Sequence, residues 1–242
     1  MGACGRQGDA DAVNDILDFR SVFAMKKESF SLNTEQLIRS LVADLATPSG
    51  SVGKVIAICL STSLLISFLS MWLVLGFRAD IHIAMGSMSF WLKAIYTFII
   101  GSVGLFAVER FGRPGLRSSK YFLFVGFLIA SFALAAALEI MQLPEADRTK
   151  AWLGDTWAIC PWLIVAESIP ILIAAFVILR RMAPTQRSDA AAAAGLMAGG
   201  YGACIYSLHC GEQTLPFLAC WYTFGVATVV AISFLGRSYL RW

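Results

Sequence analysis

The sequence predicts an all-α integral membrane protein: a six-transmembrane-helix bundle with a short cytoplasmic N-terminal tail that contains an amphipathic helix. Three observations carry this reading. The 242 residues are 58% hydrophobic and only 14% charged, with mean hydropathy +0.70, too little charge to cover a soluble domain of this size. Six apolar stretches, at about 54–77, 89–109, 121–143, 161–179, 190–209 and 214–235, each hold roughly 19–24 residues, and ~20 helical residues span ~30 Å of hydrocarbon. The Lys and Arg residues between the stretches are distributed unevenly.

The tail comes first. Residues 1–24 interleave Arg6, Asp9, Asp11, Asp15, Asp18 and Arg20 with no apolar run between them, so no cleavable signal peptide is expected, and Met25 is a plausible alternative start. Residues 33–45 read as the amphipathic helix: Asn33 can cap it, Gln36 completes a capping-box spacing, and Leu37, Ile38, Leu41, Val42 and Leu45 share one face. A weaker helix is expected over 12–19. Thr47-Pro48-Ser49-Gly50 supplies turn chemistry, which divides the chain into a tail (1–53) and a membrane domain (54–242). An isolated helix of this length is marginal in water. Its apolar stripe needs the membrane surface, its own bundle or a groove on a partner protein.

The six stretches are read as helices because backbone polar groups in lipid must bond within their own segment. Lys and Arg before the first stretch, in the second and fourth connections and after the sixth number 15, against 4 on the opposite side. This asymmetry predicts cytoplasmic termini. The net charge of +3 gives no case for direct nucleic-acid binding. Walker, dinucleotide-binding, zinc-protease and nucleophile-elbow motifs are absent from the sequence, so no enzyme activity and no cofactor are expected.

Cys160 and Cys210 are the most informative pair. Pro161 suits a first helical position, making Cys160 the expected N-cap of the fourth span. The two cysteines lie 25 residues either side of the turn near Thr185, so antiparallel neighbours bring them to one height on the outer side. Either they form a disulfide there, or they are small apolar residues at helix ends. A helix N-terminus would make Cys160 the more acidic of the two. Cys59, Cys204 and Cys220 fall within apolar helices as packing residues, and Cys4 lies in the tail. Lys93, Glu139 and Glu167 are the ionisable residues within spans, all in the outer third, where Lys93 could pair with a carboxylate. Ala191, Gly195, Gly199 and Ala203 repeat every four residues and suggest a close contact of the fifth span with the fourth. His82 and His209 reach the same side without metal-ligand spacing, so no metal site is expected. Trp152, Trp157 and Trp162 suit an interfacial belt. The cysteine pair also suits a thiol oxidoreductase coupled to quinone, and Glu139 with Glu167 a small transporter; the first lacks a C-x-x-C relay, the second a visible repeat.

From about Leu32 to the last residue the pattern resembles the NrsF family of bacterial membrane anti-sigma factors. The resemblance rests on the tail helix, Phe90-Trp91-Leu92-Lys93, Arg113-Pro114-Gly115, Leu208-His209-Cys210-Gly211-Glu212 and the ending Gly236-Arg237-Ser238-Tyr239-Leu240-Arg241-Trp242. The family often carries Pro-Glu-Asp after the second cysteine, where this chain has Gly211-Glu212-Gln213, and the tail here is longer by about the 24 residues before Met25. The resemblance implies a protein of the inner membrane that sequesters an extracytoplasmic-function (ECF) sigma factor through its tail. It implies release on a periplasmic redox or metal stress signal sensed by Cys160 and Cys210, with His209 and Glu212 nearby.

Overall fold

The computed structural model describes residues 34–40, 51–113 and 120–240, with backbone only at 51 and 52. The described residues form helices and connecting turns, with no strand among them. The chain divides between Val52 and Gly53.

Before that division, α1 (34–40) is helical. Arg39 approaches Glu35 at 3.9 Å across one turn, and Ser40 Oγ donates to the Leu37 carbonyl at 2.9 Å. Leu37 and Ile38 are exposed at 59% and 52%. Leu41, Val42 and Leu45, the 12–19 segment, Cys4 and Met25 lie outside the described residues.

After α1 follow α2 (Ser51–Ser70, continued by a π turn Met71–Leu75), α3 (Ile81–Ala84), α4 (Met88–Gly112), α5 (Lys120–Gln142), α6 (Glu145–Leu153), α7 (Cys160–Met182), α8 (Arg187–Tyr206), α9 (Leu215–Phe217), a π turn Leu218–Tyr222, α10 (Thr223–Leu235) and a 3₁₀ turn Gly236–Leu240. Among the described residues five helices are long and apolar enough to cross a membrane: Gly53–Leu75, Met88–Gly112, Lys120–Gln142, Cys160–Met182 and Leu215–Leu240. The remaining long helix, α8, is rich in Ala and Gly and sits at the centre of the bundle.

Local chemistry sets the boundaries. Ser87 caps α4 by accepting from the Phe90 N–H at 3.3 Å. Glu145 and Asp147 occupy the first turn of α6, where the helix dipole favours them. Gly154, at φ +60°, ends that helix in a conformation other residues avoid. Gly76, at φ +74°, ends α2 with its N–H on the Met71 carbonyl at 2.9 Å. Cys160 is the first residue of α7, with Ile159 at the cap. This moves the expected cap by one residue, because the Thr156 carbonyl already takes the Cys160 N–H at 2.9 Å and winds the chain into the helix early.

The core is organised around α8. Ala190–Leu196 and most residues to Tyr206 are buried, packed by α4, α7 and α10. Its small residues serve three neighbours. Gly195 and Gly199 lie against Val230 and Val226 of α10, Gly200 against Gly101 of α4, and Gly202 against Ser168 of α7. The expected glycine stripe therefore faces α10 rather than α7. Small residues announce a close approach without naming the partner, and here a different glycine makes the α7 contact. Arg180 lies 4.5 Å from the Tyr239 ring at the far end.

Candidate functional site: a buried thiol pair at one end of the bundle

Antiparallel succession brings the start of α4, α7 and α10 and the end of α2, α5 and α8 to one end of the bundle. Cys160 opens α7, and Cys210 follows the turn that closes α8. Both thiols are free and buried, at 0% and 2% exposure, and lie within hydrogen-bonding reach of one another. Tyr206 and Tyr222 bring their hydroxyls beside the two sulfurs. The Tyr222 hydroxyl nonetheless makes no well-aligned hydrogen bond. Tyr222, fully buried, closes the π turn Leu218–Tyr222 that follows α9.

Lys93 is the buried cation of this cluster, at 3% exposure. Its Nζ donates to the carbonyls of Cys210 and Glu212, each at 2.9 Å, and stands 5.6 Å from the centre of the Tyr222 ring. The expected pairing of Lys93 with an intramembrane carboxylate is not what forms. Glu139 Oε2 accepts from the Leu215 N–H at 3.2 Å, and Glu167 Oε1 from Ser70 Oγ at 3.1 Å. The backbone carbonyls of the 210–212 turn reach Lys93 first, which a sequence cannot reveal because every residue carries them.

Glu212 joins the two cysteine-bearing segments. Its Oε1 accepts from the Asp155 N–H at 2.8 Å and from Thr156 Oγ at 3.5 Å, just ahead of Cys160. A side chain at Gly154 would strike the Glu212 carboxyl at 2.8 Å, so glycine is required there for space as well as conformation. Nearby, Thr214 Oγ1 donates to the Ala151 carbonyl at 2.7 Å and Trp221 Nε1 to the Trp152 carbonyl at 3.0 Å.

The end of α2 is fastened to the same turn. His209 Nδ1 lies 2.9 Å from the Gly76 carbonyl. The Arg78 N–H and guanidinium reach the carbonyls of Leu208 and Cys210, each at 3.5 Å. Asp80 holds Arg78 with two bonds of 2.7 and 2.6 Å. That hydrogen bonding pushes the Asp80 carboxyl below its ordinary range and the Arg78 guanidinium above its own.

The cluster favours charge on Cys210. The hydrogen bond from Cys160 holds the Cys210 thiol below its ordinary range. Burial opposes this, and the Lys93 charge, Tyr222 and the Glu212 backbone assist it. The helix-terminus reasoning that favoured Cys160 is thus overridden by a nearer cation and a direct donor. Among the described residues no three His, Cys, Asp or Glu side chains gather as a metal site would need. Trp152, Trp157 and Trp162 ring this end at 49%, 44% and 63% exposure.

Long apolar helices able to cross a membrane, with a buried pair of interacting thiols at one end of their bundle, define a multi-pass helical membrane protein. The chain belongs to the NrsF family, described as negative regulator of sigma F, whose model matches residues 41–242. It is 32% identical over 213 residues to the probable anti-sigma-F factor NrsF of Azospira oryzae, covering 87% of this chain and 100% of that one. It is 37% identical over 175 residues to the anti-sigma-F factor NrsF of Caulobacter vibrioides, covering 70% and 82%. No solved structure matches the chain.

Proposed function

We propose that this chain is a membrane anti-sigma factor that sequesters an ECF sigma factor at the cytoplasmic face of the bacterial inner membrane. The observation that carries the reading is the family match from residue 41 to the end of the chain, with two relatives named as anti-sigma-F factors. In this reading α8 is a sixth span, shielded from lipid by its neighbours, and both termini are cytoplasmic. The 15-to-4 distribution of Lys and Arg supports that orientation.

The tail, residues 1–53, holds sigma. Leu37, Ile38, Leu41, Val42 and Leu45 enter a groove on the partner, as an amphipathic helix does; the exposure of Leu37 and Ile38 in α1 supports this. Lowering free sigma from one half to one hundredth takes about 2.7 kcal/mol at ~1.4 kcal/mol per decade, within reach of one such interface. The signal is read at Cys160 and Cys210, by oxidation or by a thiophilic metal. Oxidation to a disulfide removes two electrons and two protons, which pass to an oxidant such as a peroxide. The bonds from Gly76 and Arg78 to the 208–210 turn connect that chemistry to α2, the span continuous with the tail. A change there transmits only if the tail's two arrangements differ in their interactions with it. Sigma capture from solubilised membranes tests the reading: the full chain retains sigma, and a Leu41→Asp, Leu45→Asp variant loses at least tenfold. Undiminished capture by that variant contradicts the groove.

A further inference from the structure

We propose that Lys93 is the positioning residue of the thiol pair: its ammonium fixes the Cys210–Glu212 turn and supplies the countercharge for a thiolate at Cys210, making that sulfur the one that reacts. This rests on the sensing reading above and assigns the chemistry within it.

A buried ammonium has three donors and needs an anion or several acceptors to offset its desolvation. Lys93 has two carbonyls at 2.9 Å and an aromatic face at 5.6 Å. Among the described residues no carboxylate lies within ion-pairing distance of it. The neighbouring acids are committed elsewhere: Glu212 to Asp155 and Thr156, Glu139 to Leu215, and Asp80 to Arg78. The remaining titratable groups facing Cys210 are Cys160 from α7, Tyr206 from α8, Tyr222 after α9, His209 in its own turn and Arg78 after α2. Of these, the thiols are the groups able to provide an anion near neutral pH. Lys93 holds the backbone of Cys210 itself, which singles out that sulfur.

The chemistry balances with a peroxide as oxidant. The Cys210 thiolate attacks the O–O bond, gaining oxygen as a sulfenic acid and expelling hydroxide. The Cys160 sulfur then attacks Cys210, loses its proton and displaces the second hydroxide, forming the S–S bond. Two thiols have lost two electrons, and the peroxide with their two protons leaves as two waters. Once the disulfide forms, the thiolate is gone and Lys93 is a buried cation without its anion. The turn it grips, and the Arg78 and Gly76 contacts on that turn, are then held less tightly.

The test uses the full chain in lipid nanodiscs with Cys4, Cys59, Cys204 and Cys220 replaced by alanine. Carbamidomethylation of Cys210 by iodoacetamide is followed against pH by mass spectrometry. The midpoint is the readout, since a looser turn raises only the plateau. In the parent protein the midpoint falls below the ordinary thiol value of ~8.5. Lys93→Met raises it by about one unit or more, and Lys93→Arg leaves it low. A parent midpoint at or above ~8.5 overturns the assignment even if the methionine variant fails to fold, as does an unmoved midpoint in Lys93→Met. A low, lysine-dependent midpoint, with peroxide still releasing sigma from a Cys160→Ser, Cys210→Ser protein, sinks the sensing reading and leaves the Lys93 assignment standing.

Discussion

Glu212→Ala isolates the clamp between the two cysteine-bearing segments. The carboxylate accepts one short bond, 2.8 Å from the Asp155 N–H, and one long bond, 3.5 Å from Thr156 Oγ. A hydrogen bond to a charged group contributes about 1.5–3 kcal/mol, and the long one adds little. Both sulfurs are buried, so a bulky maleimide must wait for the 210–212 turn to lift away from 154–156. Weakening the closed state by about 1.5–3 kcal/mol raises the open population, and with it the labelling rate, about 10- to 100-fold at fixed pH. Glu212→Gln keeps a neutral acceptor worth about 0.5–1.5 kcal/mol, so its rate should rise by less than that of the alanine variant. Lys93 still holds the turn from the other side, which keeps the effect local. The assay is maleimide labelling of Cys160 and Cys210 in nanodiscs, resolved by mass spectrometry, with overall melting followed in parallel. An alanine rate equal to wild type, or equal rates in the two variants, would refute the clamp.

Two further outcomes follow from the packing and the outer turn. At Gly200 an added methyl would lie 2.6 Å from the Gly101 Cα, backbone against backbone, so Gly200→Ala should cost at least the ~1–3 kcal/mol of core overpacking in detergent unfolding. Gly126→Ala, with nothing within 4 Å, should cost nothing measurable. The Asp80 carboxyl is depressed by its bond from Arg78, so the pair's contribution is present above the unfolded carboxyl value of ~3.9 and fades as pH falls through the lowered value. Protection of the Ile81 and Ala84 amides in hydrogen exchange, taken relative to the intrinsic exchange rate at each pH, should fall on that acidification, and Asp80→Asn should remove this change in protection.

Hydrophobic run length made the helices legible, because lipid leaves the backbone no other partner. The structure's long helices at Met88–Gly112, Lys120–Gln142 and Cys160–Met182 fall where apolar runs lie. α6 lies between the apolar stretches, where run length gives no sign of it, although local helix signals are present: Pro144 before it, Glu145 and Asp147 in its first turn, Gly154 after it. The meeting of Cys160 and Cys210 follows from equal helix lengths about a turn, which is arithmetic a sequence supports. Their surroundings do not follow from it. Lys93 is bound by carbonyls, and Arg78 and Tyr222 enter through a turn after α2 and a π turn after α9. Local backbone geometry places these groups, and no periodicity encodes it. Tyr206, four residues before Cys210, could have been found from helical spacing.

In the proposed mechanism the state of Cys160 and Cys210 governs the hold on sigma. Sigma co-purifying with membranes, measured before and after brief peroxide treatment of cells, tests it most directly. The wild-type chain should lose most of its sigma while a Cys160→Ser, Cys210→Ser chain keeps it. Equal loss from both chains would contradict it.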